Sequence, residues 1–222
     1  MRISVIIPCL NEEKSILNCI KSAKRFSSFE IIVVDGGSTD RTVEVAEQAG
    51  ARILKTKKGR GIQLQEGASA ATGEILLFLH ADSVIKEKVD LSAYIRNGYI
   101  GGFFRLRFDD PSLIFRIIEF FANMRARLFN LPYGDQAIFV KKEVFQKIGG
   151  FKPYPFLEDL DFVLRLRKVG KLISLDTPVV VSPRRLKRRF PFSPIFLSLR
   201  NVIIVLLYIL GVSPFKLIKL YR

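Results

Sequence analysis

The run Glu74 to Asp82 reads Glu-Ile-Leu-Leu-Phe-Leu-His-Ala-Asp and stops abruptly at polar residues. A short apolar run without polar alternation suits a strand buried on both faces of a parallel sheet. In open α/β sheets, ligands bind outside the carboxyl ends of the strands. His80 and Asp82 are therefore predicted to stand at the mouth of a site.

The preceding sequence supplies the rest of such a sheet. Ile3 to Ile7 is an apolar strand ended by Pro8, and Asn11 is a candidate N-cap for a helix reaching about Arg25. Glu30 to Asp35 is a β-branched strand ending in a carboxylate; Gly36-Gly37-Ser38-Thr39 turns from it into a helix reaching about Ala49. Ala51 to Lys55 is a third strand, and a helix runs from about Ile62 to Ala71. This alternation marks βαβ units and a parallel sheet. Past Asp82 a helix is expected near Leu91 to Asn97, then a strand from Tyr99 to Phe108, where Gly101-Gly102 signals a bulge or a close backbone approach. Further strands are expected at Ala137 to Val140, Lys171 to Leu175 and Val179 to Val181, with helices from Lys142 and from Glu158 to about Val169.

Ser112 to Phe129 reads as an amphipathic helix. Arg116, Glu119, Asn123 and Arg127 form a narrow polar stripe and most other positions are apolar. Two readings stay open: a helix wedged in the core, or a helix meeting lipid or a lipidic acceptor.

Charge narrows the partners. The net charge is +15, and no Asp or Glu follows Asp176, whereas Arg184, Arg185, Lys187, Arg188, Arg189, Arg200, Lys216, Lys219 and Arg222 do. Such asymmetry favours an anionic surface at the C-terminal part. Pro191 to Val212 is strongly apolar but holds Arg200 and Asn201. The uncharged piece Val202 to Phe215 would span only about 21 Å as a helix, against about 30 Å of hydrocarbon. It is expected either to lie on a bilayer or to fold back onto the core. The N-terminus does not read as a signal peptide, so the chain is expected to begin and stay on the cytosolic side. Cys9 and Cys19 fit no metal-ligand spacing and are read as buried thiols in a reducing compartment.

Asp35 and Asp82 end successive strands, and Lys57, Lys58 and Arg60 lie in a basic glycine-containing loop. Carboxylates at strand ends together with cations suit a nucleotide diphosphate and a divalent metal. The plainer reading has Asp35 and Asp40 capping turns and the lysines solvated. Glu158-Asp159-Leu160-Asp161 by itself reads as an acidic helix N-terminus.

These residues resemble the family 2 glycosyltransferases. The resemblance rests on Ser4-Val5-Ile6-Ile7-Pro8, Asn11-Glu12, Ile32 to Asp40, Gly59-Arg60-Gly61, Ala71-Thr72-Gly73, the strand into Asp82, Gly134-Asp135-Gln136, Gly149-Gly150-Phe151 and Glu158-Asp159. It is strongest with a compact bacterial-type subgroup, the radical-SAM/selenodomain-associated transferases. It implies an α/β fold of the GT-A, Rossmann-like type, a mostly parallel sheet flanked by helices. The domain would span residues 1–183, with 184–222 as a basic and apolar helical appendage that anchors at a membrane surface.

The implied reaction is inverting transfer from a nucleotide-diphosphate sugar, assisted by Mn²⁺ or Mg²⁺. Pro8, Asn11, Glu12, Asp35, Gly36, Gly37, Arg60, Gln63, His80 and Ala81 would surround the donor, and Asp82 would hold the metal. Asp159 would be the base, with Glu158 and Asp161 as neighbours able to replace it. Gly134, Asp135 and Gln136 would lie near the acceptor or diphosphate. His80 departs from the family pattern, standing where its Asp-x-Asp motif has the first Asp; it would hydrogen-bond ribose or ligate the metal. The implied acceptor is lipidic or lipid-linked, with the enzyme peripheral on the inner face of the cell membrane. Competing readings are a soluble transferase with a small-molecule acceptor, a sugar-nucleotide-forming nucleotidyltransferase and a nucleic-acid-binding module. The last is disfavoured because no recognisable RNA-binding motif is present, so no nucleic-acid partner is expected.

Overall fold

The computed structural model describes residues 1–26, 30–184, 186 and 194–221. Arg185, Lys187 to Arg189, Pro191 and Arg222 of the basic and apolar C-terminal run lie outside the described residues. Among the described residues, eight strands form one sheet in the order β3-β2-β1-β4-β7-β6-β8-β5. They are β1 Ile3–Cys9, β2 Glu30–Asp35, β3 Arg52–Lys55, β4 Ile75–Phe78, β5 Ser83–Ile85, β6 Gly101–Phe108, β7 Phe139–Lys141 and β8 Leu172–Val181. The helices are α1 Ile16–Ala23, α2 Thr42–Gln48, α3 Arg60–Ala70, α4 Leu91–Arg96, α5 Leu113–Phe129, α6 Lys142–Lys147, α7 Glu158–Leu166, α8 Pro194–Ile209 and α9 Pro214–Tyr221.

The N-terminal half is the parallel part: β1 pairs with β2 and β4, and β2 with β3. Antiparallel β7 then sits between β4 and β6, while β6 and β8 run parallel and β5 closes the far edge antiparallel to β8. Alternate strand residues feed two cores. Val5, Ile7 and Val33 pack with Ile16, Cys19 and Ile20 of α1 on one face. Ile6, Ile32 and Val34 pack with Leu64 and Ala68 of α3 and Phe162 and Val163 of α7 on the other. Both cysteines are free and buried, as expected. Burial, followed by the Asp35 charge, pushes the Cys9 thiol up to about 12.

Several local expectations are corrected. Pro8 does not end β1, which continues to Cys9 with Pro8 opposite Val34. The β4 pairing stops at Ile6, so Pro8 stands where that side of the strand is open and its missing N–H breaks no ladder there. Asn11 caps no helix: it has φ +54°, and α1 begins only after Ser15. Gly36-Gly37 leads into a turn, with α2 starting at Thr42. The opening run is a strand only to Phe78, and the short β5 that follows was not expected. The two late strands are one, β8, with a register irregularity opposite Phe104 and Arg105. Gly101 and Gly102 do mark close approach: a Cβ on either would stand 2.3 Å from the carbonyl oxygen of Phe139 or Ile173.

Helix α5 is not wedged in the core. Glu119 and Asn123 of its polar stripe face β6 while Arg127 stays exposed, and much of its apolar surface is exposed. Helix α8 folds back through Ile204, Val205 and Tyr208, while Val202, Leu206 and Ile209 stay exposed. Among the described residues no helix is long and apolar enough to cross a membrane.

Candidate active site

The strand ends on the carboxyl side of β1, β2 and β4 gather the first half of the site. Asp35, buried at the end of β2, accepts hydrogen bonds from the main-chain N–H groups of Gly37 (3.0 Å) and Ser38 (3.1 Å). Its carboxylate thus shapes the Gly36–Ser38 turn, where Gly37 takes φ +96°. Asn11 Oδ1 accepts from the Thr39 N–H at 2.8 Å, and the Asn11 N–H donates to Ser38 Oγ at 2.9 Å. The left-handed Asn11 therefore splices the loop after β1 to the turn after β2.

Glu12 is buried beside them; its N–H donates to Thr42 Oγ1 at 2.7 Å and its carboxylate pairs with Arg184. Arg184 thereby brings the start of the basic segment to this pocket. Gln63 lies beneath Gly36 and donates through Nε2 to the carbonyls of Cys9 and Val34, both at 2.8 Å. It braces two strand ends rather than offering that amide nitrogen to a ligand. Ala81 is buried in the core next to His80.

The second half comes from α7 and the loop before β7. Asp159 Oδ2 accepts from the Gly134 N–H at 2.6 Å, and Oδ1 accepts from the Leu160 N–H at 2.7 Å. A Cβ placed on Gly134 would stand 2.9 Å from His80 Nε2 and 3.2 Å from Asp159 Oδ2. His80, from the sheet mouth, and Asp159, from the helix, thus meet at one glycine. Gly61 plays a related part, because a Cβ there would be 2.4 Å from the Lys152 carbonyl oxygen. Its absence lets the start of α3 approach α7, where Arg60 Nε lies 3.6 Å from Glu158 Oε1.

The electrostatics follow from this convergence. Burial pushes the Glu158 carboxyl up to about 7, with the Asp159 charge adding and Arg60 opposing. Burial also raises Asp135 to about 6; Asp159 and Asp82 add to this, and Arg125 and Arg60 oppose it. Asp135 Oδ1 is fully enclosed with no hydrogen-bond partner among the described residues. Asp82, Asp135 and Asp159 therefore share one field, with Arg60 as a counter-charge. Among the described residues no group of three or more His, Cys, Asp or Glu is placed to hold a metal ion.

Two expected neighbours serve other purposes. Asp161 accepts from Lys152 (3.1 Å), Arg165 (2.9 Å) and Tyr208 (2.7 Å), so its carboxylate is fully engaged away from the base role. Gln136 is buried and donates to the Phe104 carbonyl and to Asn123 Oδ1, both at 3.3 Å, which holds the loop against β6 and α5. Sequence reasoning missed Arg125, whose guanidinium lies 3.5 Å over the Tyr133 ring beside the same loop, and it missed the Arg184–Glu12 pair. Arg184 opens the basic cluster, which was the available signal; Arg125 lies off the polar stripe of α5 and carried none.

Residues 4–155 match the family described as Glycosyl transferase family 2. A PGL/p-HBAD biosynthesis glycosyltransferase of Mycobacterium bovis is 31% identical over 193 residues, covering 81% of this chain and 75% of that protein. The fold superposes on the S. aureus TarS 1-349 structure with a TM-score of 0.67 at 19% identity, covering 85% of this chain and 63% of that one. It superposes on glucosyl-3-phosphoglycerate synthase from Mycobacterium tuberculosis, in complex with Mn²⁺, UDP and phosphoglyceric acid, with a TM-score of 0.63. There the identity is 20%, and the match covers 96% of this chain and 79% of that one.

Proposed function

The chain belongs to glycosyl transferase family 2 and has the GT-A fold, and from that premise we propose that it moves a sugar, with inversion, from a nucleotide-diphosphate donor, a UDP-sugar in the simplest case, to an acceptor hydroxyl or carboxyl. The observation that carries this reading is the meeting of His80 and Asp159 at Gly134. The strand end that would face the donor and the carboxylate that would face the acceptor are one glycine apart.

Asp159 takes the acceptor proton as the new bond to the anomeric carbon forms and the bond to the diphosphate breaks. The Gly134 and Leu160 N–H groups fix its orientation. Arg60 places positive charge where negative charge develops on the leaving diphosphate. Glu158 holds Arg60 in place. Pro8, Asn11, Glu12, Asp35, Gly36 and Gly37 form the nucleoside wall, with Gln63 and Ala81 supporting it from behind. His80 reaches the donor from the sheet mouth.

The residues fit a divalent cation. Asp82 and Asp135 offer hard oxygen ligands, and the enclosed Asp135 Oδ1 has no hydrogen-bond partner among the described residues to compete with a metal. Mg²⁺ and Mn²⁺ suit sites of one or two carboxylates completed by substrate phosphates, so a full protein cage is not required. The cation, when bound, would neutralise charge on the leaving diphosphate.

The exposed apolar surface of α5 and α8 supports a lipidic or lipid-linked acceptor and a peripheral location on the inner face of the cell membrane. Residues 184–222 would serve as an appendage on a catalytic unit of 1–183. The test is a panel of nucleotide sugars, scored for hydrolysis with Mn²⁺, Mg²⁺ or chelator. Metal-dependent release of a nucleoside diphosphate supports the reading. Release of pyrophosphate, or no donor accepted under any condition, overturns it.

A further inference from the structure

Helix α5 packs Phe115, Ile118 and Ala122 on the core, yet it also turns part of its polar stripe inward. β6 pairs with β7 only at Gly101 and Gly102, so the rest of that edge lacks a neighbouring strand. The polar stripe of α5 takes its place. Asn123 accepts from the Leu106 N–H (2.8 Å) and donates to the Leu106 carbonyl (3.0 Å). Glu119 accepts from the Phe108 N–H (2.5 Å) and pairs with Arg116 (2.6 Å). Buried backbone groups must be satisfied, and this seam satisfies them. Much of the remaining apolar surface points away from the protein: Leu113 is 75% exposed, Phe120 63% and Leu128 67%, with Phe121 and Phe129 also exposed. Helix α8, which packs against α5, leaves its own apolar residues outward as well.

Beside this face runs a groove of about 500 Å³ lined by Arg105, Arg107, Arg116 and Arg127 together with Phe120 and Met124. Glu119 is its one acidic residue and is already paired with Arg116. Among the described residues, neither Arg105 nor Arg107 has an ion-pair partner.

We propose that α5 is a membrane-docking helix, which lays its outward apolar face into the interfacial region of an anionic bilayer while the arginine groove takes lipid phosphates. Arginine forks match phosphate oxygens, and amphipathic helices with basic flanks bind anionic interfaces. A second copy of the chain fits less well, because a two-fold contact through this face would set arginines against arginines. The inference deepens the peripheral location proposed above by naming the surface responsible, and it separates that surface from the basic C-terminal segment.

The test uses the full chain and co-sedimentation with vesicles of neutral phosphatidylcholine or of phosphatidylcholine mixed with phosphatidylglycerol. The wild type should bind the mixed vesicles, and added salt should weaken that binding. Phe121→Glu with Leu128→Glu, and separately Arg105→Gln with Arg107→Gln, should each weaken it at least about tenfold. All these side chains point to solvent, so thermal stability and nucleotide-sugar hydrolysis in solution should stay unchanged. Hydrolysis is read independently of vesicles, so loss of the proposed chemistry and loss of docking are distinguishable. No vesicle binding by the wild type overturns the inference. So does vesicle binding through the C-terminal segment alone, with both α5 variants behaving as wild type. A concentration-dependent dimer abolished by the same substitutions overturns it in favour of self-association, and binding only to an acidic protein overturns it in favour of that partner.

Discussion

The main-chain N–H of Gly134 lies 2.6 Å from Oδ2 of Asp159, although 25 residues separate them. This loop glycine therefore sets the angle at which the proposed base addresses an acceptor. Gly134→Ala would push a methyl group toward His80 Nε2 and Asp159 Oδ2, both ends of side chains that can move. Folding should survive with a change within about 1 kcal/mol, while kcat falls at least about tenfold through misplacement. Parallel thermal melts and initial rates check this; a variant with wild-type kcat would remove Gly134 from the positioning role.

Asp159→Asn should lower kcat/KM for transfer by about 10²–10⁴ and leave donor affinity nearly unchanged. Isothermal titration with the donor beside a transfer assay separates the two. Donor binding lost in step with activity would show that Asp159 is not acting as the base.

The raised Glu158 carboxyl predicts a pH signature in stability. Its ordinary value is 4.5 and its folded value about 7, so the folded state holds the proton more tightly. The stability linked to that proton is fully present below 4.5 and is lost as pH rises through about 7. Glu158→Gln should therefore gain on wild type across that interval, by on the order of 1–3 kcal/mol. Urea unfolding of both proteins at several pH values, with chelator present, measures the difference. A constant offset would mean that Glu158 does not titrate there.

Chelation should abolish donor hydrolysis, with Mn²⁺ or Mg²⁺ restoring it. Asp135→Asn and Asp82→Ala should each raise the metal concentration needed for half-maximal activity, by about tenfold or more. Asp82→Ala with an unchanged metal requirement would exclude it as the ligand.

Tyr208 ties α8 to α7 through Asp161. Tyr208→Phe should cost about 1 kcal/mol, because Lys152 and Arg165 still engage the carboxylate. Asp161→Asn removes the carboxylate that Lys152 and Arg165 both pair with and should cost more, about 2–4 kcal/mol. Equal losses in urea unfolding would contradict this ordering.

The parallel half of the sheet was legible because each strand is a continuous apolar run ending at a turn signal, a local pattern. The roles proposed for Asp82 and Asp159 rest on motif resemblance, since each stands in a recognisable tripeptide or dipeptide. Asp161 was not separable from Asp159 in sequence. What separates them is a set of partners from the loop before α7, from α7 itself and from α8, which no local spacing encodes. The orientation of α5 was illegible for a related reason. Periodicity marks the polar stripe, but it does not show that the unpaired edge of β6 draws Glu119 and Asn123 inward. Pro8 misled because a proline in a strand usually marks an end, and only the short reach of β4 leaves room for it within β1.

The seam between α5 and β6 also bears on how this chain can change over generations. Asn123 and Glu119 fasten the helix through main-chain atoms, which are the same whatever side chains β6 carries. The outward positions are thereby released from folding duties. Selection can rewrite them for a new surface or acceptor while the fold beneath is left undisturbed.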